Sequence, residues 1–238
     1  MCLVVVAYDI HDSYRLVVAG NRDEFHSRPT REAHWWEDEP DIAGGRDLLQ
    51  GGTWLAMHRN GRFATVTNFR GAGAAPERPL SRGHLVSGFL RSELAPLAYL
   101  QSIQGDAYAG FNLIVADKRA LAYCSNRGDT PRELAPGVYG LANTRLDAHG
   151  ERIGRPRDRL NQLLNENRVD SGVLMELLDD RESSSTNPLD APFVVTPEFG
   201  TRCSTTVMVQ SDGSWQLAER RYDPSGNRSG ETLITEHG

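Results

Sequence analysis

Two runs near the start of the chain do most to limit what it can fold into. Residues 3–6 read Leu3-Val4-Val5-Val6, apolar at every position, and lead through His11-Asp12-Ser13 into a second β-rich run over 14–21. Successive strand side chains point to opposite faces, so a strand apolar at every position must bury both. A second hairpin over 54–58 and 62–68 repeats the pattern. Trp54, Ala56 and His58 face one way, Leu55 and Met57 the other, and Asn60-Gly61 suits a tight primed turn. Strands of this kind belong to sheets covered on both sides.

Helical spacing follows: Leu85, Phe89 and Leu90, then Leu97, Leu100 and Ile103, with Ser81 and Ser92 as N-terminal caps. The glycine-, alanine- and proline-rich stretch 69–79 before them has no period and reads as a loop. Strands return at 111–116, 121–125 and 137–142, and helices at 157–165 and 171–178. After a polar loop over 183–192, strands at 207–210, 216–221 and 232–235 close the chain. The order ββββ-αα-βββ-αα-βββ, with neither repeat nor linker, predicts one α+β domain over residues 1–238. The expected architecture is a four-layer αββα sandwich of two mainly antiparallel sheets.

Composition narrows the function classes. A chain of 238 residues, 39% hydrophobic and 24% charged, is that of an ordinary globular protein, not of a disordered or collagen-like one. A net charge of −6 repels polyphosphate and argues against nucleic acid as a partner. Lys118 is the one lysine beside 25 arginines, which nearly excludes Schiff-base chemistry and leaves anion recognition to guanidinium groups. The three cysteines, Cys2, Cys124 and Cys203, have no metal spacing and suit a reducing compartment. The apolar start, residues 3–8, is too short for a signal-peptide core and follows no basic segment, and no run approaches the ~20 apolar residues of a membrane span, so a cytoplasmic location without a membrane span is expected. No metal site and no bound cofactor are read from the pattern, and oligomeric state is not legible in it.

Cys2 directly follows the initiator methionine, and so small a side chain permits removal of Met1. The mature chain then begins with a cysteine that carries thiol and amine on one residue. Its amine, with an ordinary pKa of ~7.7–8.0, can take the thiol proton without a histidine. The plain alternative is a buried, unreactive cysteine. Asn21-Arg22-Asp23-Glu24 ends the strand expected to pair with the one starting at Cys2. Asp23 can orient the ammonium group there, and Arg22 can bind an acidic substrate group or pair with Glu24. Asn68 and Asn143 close strands and are neutral donors of the kind an oxyanion hole needs, although turn chemistry explains most such asparagines. Arg202 can lower a nearby thiol pKa, or lie solvated at the surface.

Several motifs follow one another along the chain: Met1-Cys2-Leu3, Asn21-Arg22-Asp23-Glu24-Phe25, Gly44-Gly45-Arg46-Asp47, Gly51-Gly52-Thr53-Trp54-Leu55, Val66-Thr67-Asn68, Gly140-Leu141-Ala142-Asn143 and Gly200-Thr201-Arg202-Cys203-Ser204-Thr205-Thr206. Together they resemble the NRDE-motif, or transport and Golgi organisation protein 2-like, family. That family is similar in turn to N-terminal-nucleophile hydrolases of the choloylglycine hydrolase and penicillin V acylase type. The resemblance implies an αββα fold, Cys2 as nucleophile, Asp23 holding the amine, Asn68 and Asn143 as oxyanion donors, and Arg202 near the thiol. Asn21, Arg22 and Arg46 are candidates for contacting substrate. In one respect the chain departs from the acylases, which carry an arginine three residues before the aspartate. Here that position is Gly20, and the arginine is Arg22, on the same face but about 6.6 Å further along the strand.

The leading expectation is a cysteine N-terminal-nucleophile hydrolase or acyltransferase acting on a small-molecule amide, or on a thioester. The alternative is a non-catalytic protein that binds and traffics haem or a lipid or acyl-coenzyme A in the same pocket. Haem would be the cofactor only under that alternative. Gly44-Gly45 is read as a glycine-lined loop before a strand, and Trp35-Trp36 as a loop anchored by aromatic burial. Cys203, adjacent to Arg202, is expected to be buried.

Overall fold

A computed structural model describes residues 2–70 and 79–238. The expected loop over 69–79 lies largely outside them, as does Met1. The class is α+β with two antiparallel sheets, and the chain divides into two compact units. Among the described residues no helix is long and apolar enough to cross a membrane.

The first unit comprises residues 1–28, 136–142 and 146–237. Its six-stranded sheet runs in the order β10-β1-β2-β11-β12-β13. These strands are β1 (Cys2–Tyr8), β2 (Tyr14–Phe25), β10 (Gly137–Leu141), β11 (Phe199–Gln210), β12 (Trp215–Tyr222) and β13 (Arg228–Glu236). Val5, Ala7, Val17, Ala19 and Met208 share one face and pack on α3 (Glu151–Asn165) and α4 (Ser171–Leu178) through Leu160, Leu163, Leu164, Leu174 and Leu178. Val4, Val6, Val18, Val207 and Leu217 point the other way and are buried as well. The run at 3–6 thus buries both of its faces, as its composition requires.

In the second unit, residues 29–135 and 143–145, a seven-stranded antiparallel meander runs from β3 to β9 in chain order. Its strands are β3 (Thr30–Trp35), β4 (Ile42–Asp47), β5 (Leu55–His58), β6 (Phe63–Asn68), β7 (Phe111–Ala116), β8 (Leu121–Ser125) and β9 (Asp129–Leu134). Ala56, Ala64, Val66, Leu113, Val115, Ala122 and Cys124 form a core with α1 (Gly83–Arg91), which supplies Leu85, Val86, Phe89 and Leu90, and with Leu100 of α2 (Pro96–Ser102). Leu55, Met57, Phe63, Ile114 and Tyr123, on the opposite face, are buried too.

Several local expectations need correction. β3, β4 and β9 were not anticipated. Gly44-Gly45 lies inside β4 rather than in a loop: a Cβ on Gly44 would stand 2.7 Å from the Leu55 carbonyl oxygen, so only glycine lets β4 approach β5 this closely. Neither serine caps a helix. Arg82 and Ala95 hold those positions without a side-chain capping bond, and Pro96 opens α2 with a φ suited to its first turn. α3 begins at Glu151, six residues before the expected 157, and carries Pro156 inside it. Trp36 is the anticipated anchor, buried with its indole N–H donating to the Gly44 carbonyl at 3.0 Å.

Candidate active site

The start of β1 is fixed by register. Cys2 pairs with Arg22, Arg22 with Cys203 and Cys203 with Arg221, so these four side chains form a row on one face of the first unit's sheet. Gly20 lies on the same face, opposite Val4 and Thr205. Cys2 retains partial exposure as a residue, yet its thiol is desolvated, and burial pushes its pKa up. The Asp23 carboxylate adds to the rise, while the Arg22 guanidinium and the Asp23 backbone N–H, directed at the sulfur, oppose it. Cys203 and Cys124 are both buried, and burial raises both thiols, Cys124 to about 12.

Asn21 and Asp23 point to the helix side. The Asn21 amide donates to the carbonyls of Leu178 at 2.9 Å and Pro192 at 3.0 Å, and its oxygen accepts from Ser204 Oγ at 2.6 Å. These bonds tie β2 to the end of α4 and to the loop before β11, so this substrate candidate is committed to the protein itself. Asp23 is 1% exposed. One carboxylate oxygen accepts from Thr201 Oγ1 at 2.7 Å, and the other is ion-paired with Arg152 of α3. Burial raises the Asp23 pKa, and Arg152, then the chain's amino group and then Thr201 pull against the rise. Glu24 is engaged locally, accepting from the Phe25 N–H at 2.9 Å.

A β-bulge separates Thr201, which pairs with Asp23, from Cys203, which pairs with Arg22. Arg202 is the extra residue in it, and its guanidinium donates to the carbonyls of Phe25 and His26 at 3.0 Å and Arg28 at 3.2 Å. It thereby pins the turn after β2. The cationic side chain acting on the Cys2 thiol is Arg22.

The second unit holds the other candidates. Asn68 ends β6, and the Asn143 amide donates to its backbone carbonyl at 2.7 Å, bringing the two asparagines together. The Asn143 carbonyl accepts from the Arg70 N–H at 2.6 Å. Arg46, expected near substrate, is ion-paired with Asp38, donates to the Gly51 carbonyl at 3.2 Å and lies 4.2 Å over the Trp36 ring. Its fork is occupied by the loop it holds.

Sequence reasoning missed Arg152 and Thr201. Thr201 stands in a motif that was singled out, but its role depends on the bulge. Arg152 lies 129 positions from Asp23 and carries no local signal among 25 arginines. Among the described residues no group of three or more His, Cys, Asp or Glu is placed to hold a metal ion. A cleft of about 440 Å³ in the first unit, lined by Gly137, Arg157 and Asn161 among others, contains none of the candidate residues.

This architecture is shared with solved hydrolases. The Caenorhabditis elegans ortholog of N-acylethanolamine-hydrolyzing acid amidase superposes with a TM-score of 0.55 at 13% identity, covering 86% of this chain and 92% of that one. The conjugated bile acid hydrolase of Clostridium perfringens gives 0.56 at 8% identity, covering 98% and 92%. The class defined in this way is the N-terminal-nucleophile-hydrolase-like fold. Residues 1–224 match the family described as Transport and Golgi organisation 2, and the Bos taurus transport and Golgi organization protein 2 homolog is 33% identical over 99% of this chain and 98% of its own. The chain belongs to the Transport and Golgi organisation 2 family.

Proposed function

We propose that this protein is a cysteine N-terminal-nucleophile enzyme that cleaves or transfers an acyl group from a small-molecule amide or thioester through Cys2, after removal of Met1. The carrying observation is the strand start itself: a desolvated thiol opposite Arg22, with the Asp23 backbone N–H aimed at its sulfur and the Asp23 carboxylate buried beside it. A thiol with a raised pKa is protonated at neutral pH, so it needs a base. The amine of the same residue is the nearest base by construction. It takes the thiol proton as sulfur attacks the carbonyl carbon and returns it to the leaving group as the tetrahedral intermediate collapses. Asp23 orients that amine. Water, or an acceptor in the transferase case, then releases the acyl group from the sulfur.

Two comparisons support the reading. The structural neighbours are an acid amidase and a hydrolase, and the bile acid hydrolase was crystallised as its C2A mutant, so a cysteine occupies the second position there as here. The test is covalent labelling by an activated acyl ester, read by intact mass. The wild-type protein is expected to gain one acyl group, and Cys2→Ala to gain none. Equal labelling of Cys2→Ala would move the reaction to another residue and remove the proposed mechanism.

A further inference from the structure

The ion pair between Arg152 and Asp23 joins the first turn of α3 to the end of β2 at a depth where a charge is expensive. The Asp23 side chain has no exposed surface and that of Arg152 has 11%. One nitrogen of the guanidinium pairs with the Asp23 carboxylate, and another donates to the carbonyls of Leu189, at 3.0 Å, and Ala191. Thr201 Oγ1 accepts from the Val194 N–H at 2.9 Å and donates to the second carboxylate oxygen, so its hydrogen is already directed. Every one of these groups belongs to the first unit. The carboxylate is therefore held from two sides, by a cation and by a neutral donor that is itself oriented.

We infer that Arg152 is a positioning residue for the acyl transfer through Cys2: it keeps the buried Asp23 carboxylate ionised and aimed, and through it sets the protonation of the amine that serves as base. The inference rests on the functional reading above. An isolated carboxylate at this depth takes up a proton rather than remain charged. Arg152 opposes that uptake, and its positive charge also disfavours protonation of a neighbouring amine. Removing it therefore moves both groups in one direction, toward protonation, and both protonations stop the reaction. Among the interactions recorded for Asp23 the charged groups are Arg152 from α3 and the chain's amino group, and the Asp23 charge in turn acts on the Cys2 thiol of β1. β11 contributes the uncharged Thr201, and the 189–191 segment contributes backbone carbonyls to Arg152.

The experiment follows acetylation of Cys2 by p-nitrophenyl acetate across pH, counted by intact mass with the Cys2→Ala background subtracted. It compares the full-length wild-type, Arg152→Gln and Arg152→Lys proteins. The acid limb of the rate profile is expected to move to higher pH by about one unit or more in Arg152→Gln. At a fixed pH on that limb the rate then falls roughly tenfold. Arg152→Lys, which keeps the charge, leaves the limb where it is in the wild type even if the plateau falls. A profile of Arg152→Gln that coincides with the wild type after scaling overturns the inference, since a merely structural residue changes the amount of active protein and not the limb. If Arg152→Gln does not fold, Arg152→Lys decides: an unmoved limb supports the role of charge, and a displaced one overturns it. A wild-type protein with no Cys2-dependent acetylation defeats the functional reading instead, and the inference falls with it.

Discussion

At the level of single residues the candidate site depends on which groups the strand pairing brings to Cys2. Register puts Arg22 directly opposite, and its guanidinium favours the thiolate while burial and the Asp23 carboxylate disfavour it. Arg22→Ala therefore raises the thiol pKa further. Alkylation of Cys2 by iodoacetamide near neutral pH is expected to slow by roughly three- to tenfold as the thiolate fraction falls. An unchanged rate would mean that the Arg22 charge does not reach the sulfur. Arg202 and Asn21 illustrate a different lesson. Both stand in motifs that suggest chemistry, yet the bonds recorded for their side chains go to the protein's own carbonyls and to Ser204, which fixes the turn after β2 and the loop before β11.

Among the elements, α3 matters most to the site because its first turn delivers Arg152. That turn lies against β10 at Gly140, where an added Cβ would come within 2.4 Å of Ile153 Cγ2. Gly140→Ala is expected to push α3 outward and to cost about 1–3 kcal/mol through overpacking. In thermal unfolding that amounts to roughly 2–4 °C for each kcal/mol in a chain of this length. A variant with wild-type melting and an intact acid limb in the acetylation profile would show that the close contact is dispensable. The elements that the sequence did not reveal share a physical cause. β3 and β9 are the two edges of the seven-stranded sheet, rich in charged residues, and Pro131 is tolerated in β9 because an edge strand has backbone groups outside the ladder. β4 hides behind its two glycines. The central strands were legible because continuous burial on both faces leaves continuous apolar sequence, as at Leu3-Val4-Val5-Val6.

Across the whole molecule, what could be read was local in sequence or tied to a motif. Cys2 and Asp23 lie at neighbouring ends of one hairpin, β1 to β2, so local strand pairing alone brings them close. Thr201 and Arg152 reach Asp23 across 178 and 129 positions, and no periodicity connects groups that far apart. The fold class was legible from the order of strands and helices, and the membership from the motifs spread between Met1 and Thr206, within the 1–224 that match the family. Every proposed chemical role converges on a free amine at Cys2. The most direct test is the intact mass of the purified protein before and after reaction with an activated acyl ester. The mechanism predicts a chain lacking Met1 that gains a single acyl group, and loses that gain in Cys2→Ala. A chain that keeps Met1 and still acylates, or one that lacks Met1 and never reacts at Cys2, would contradict it.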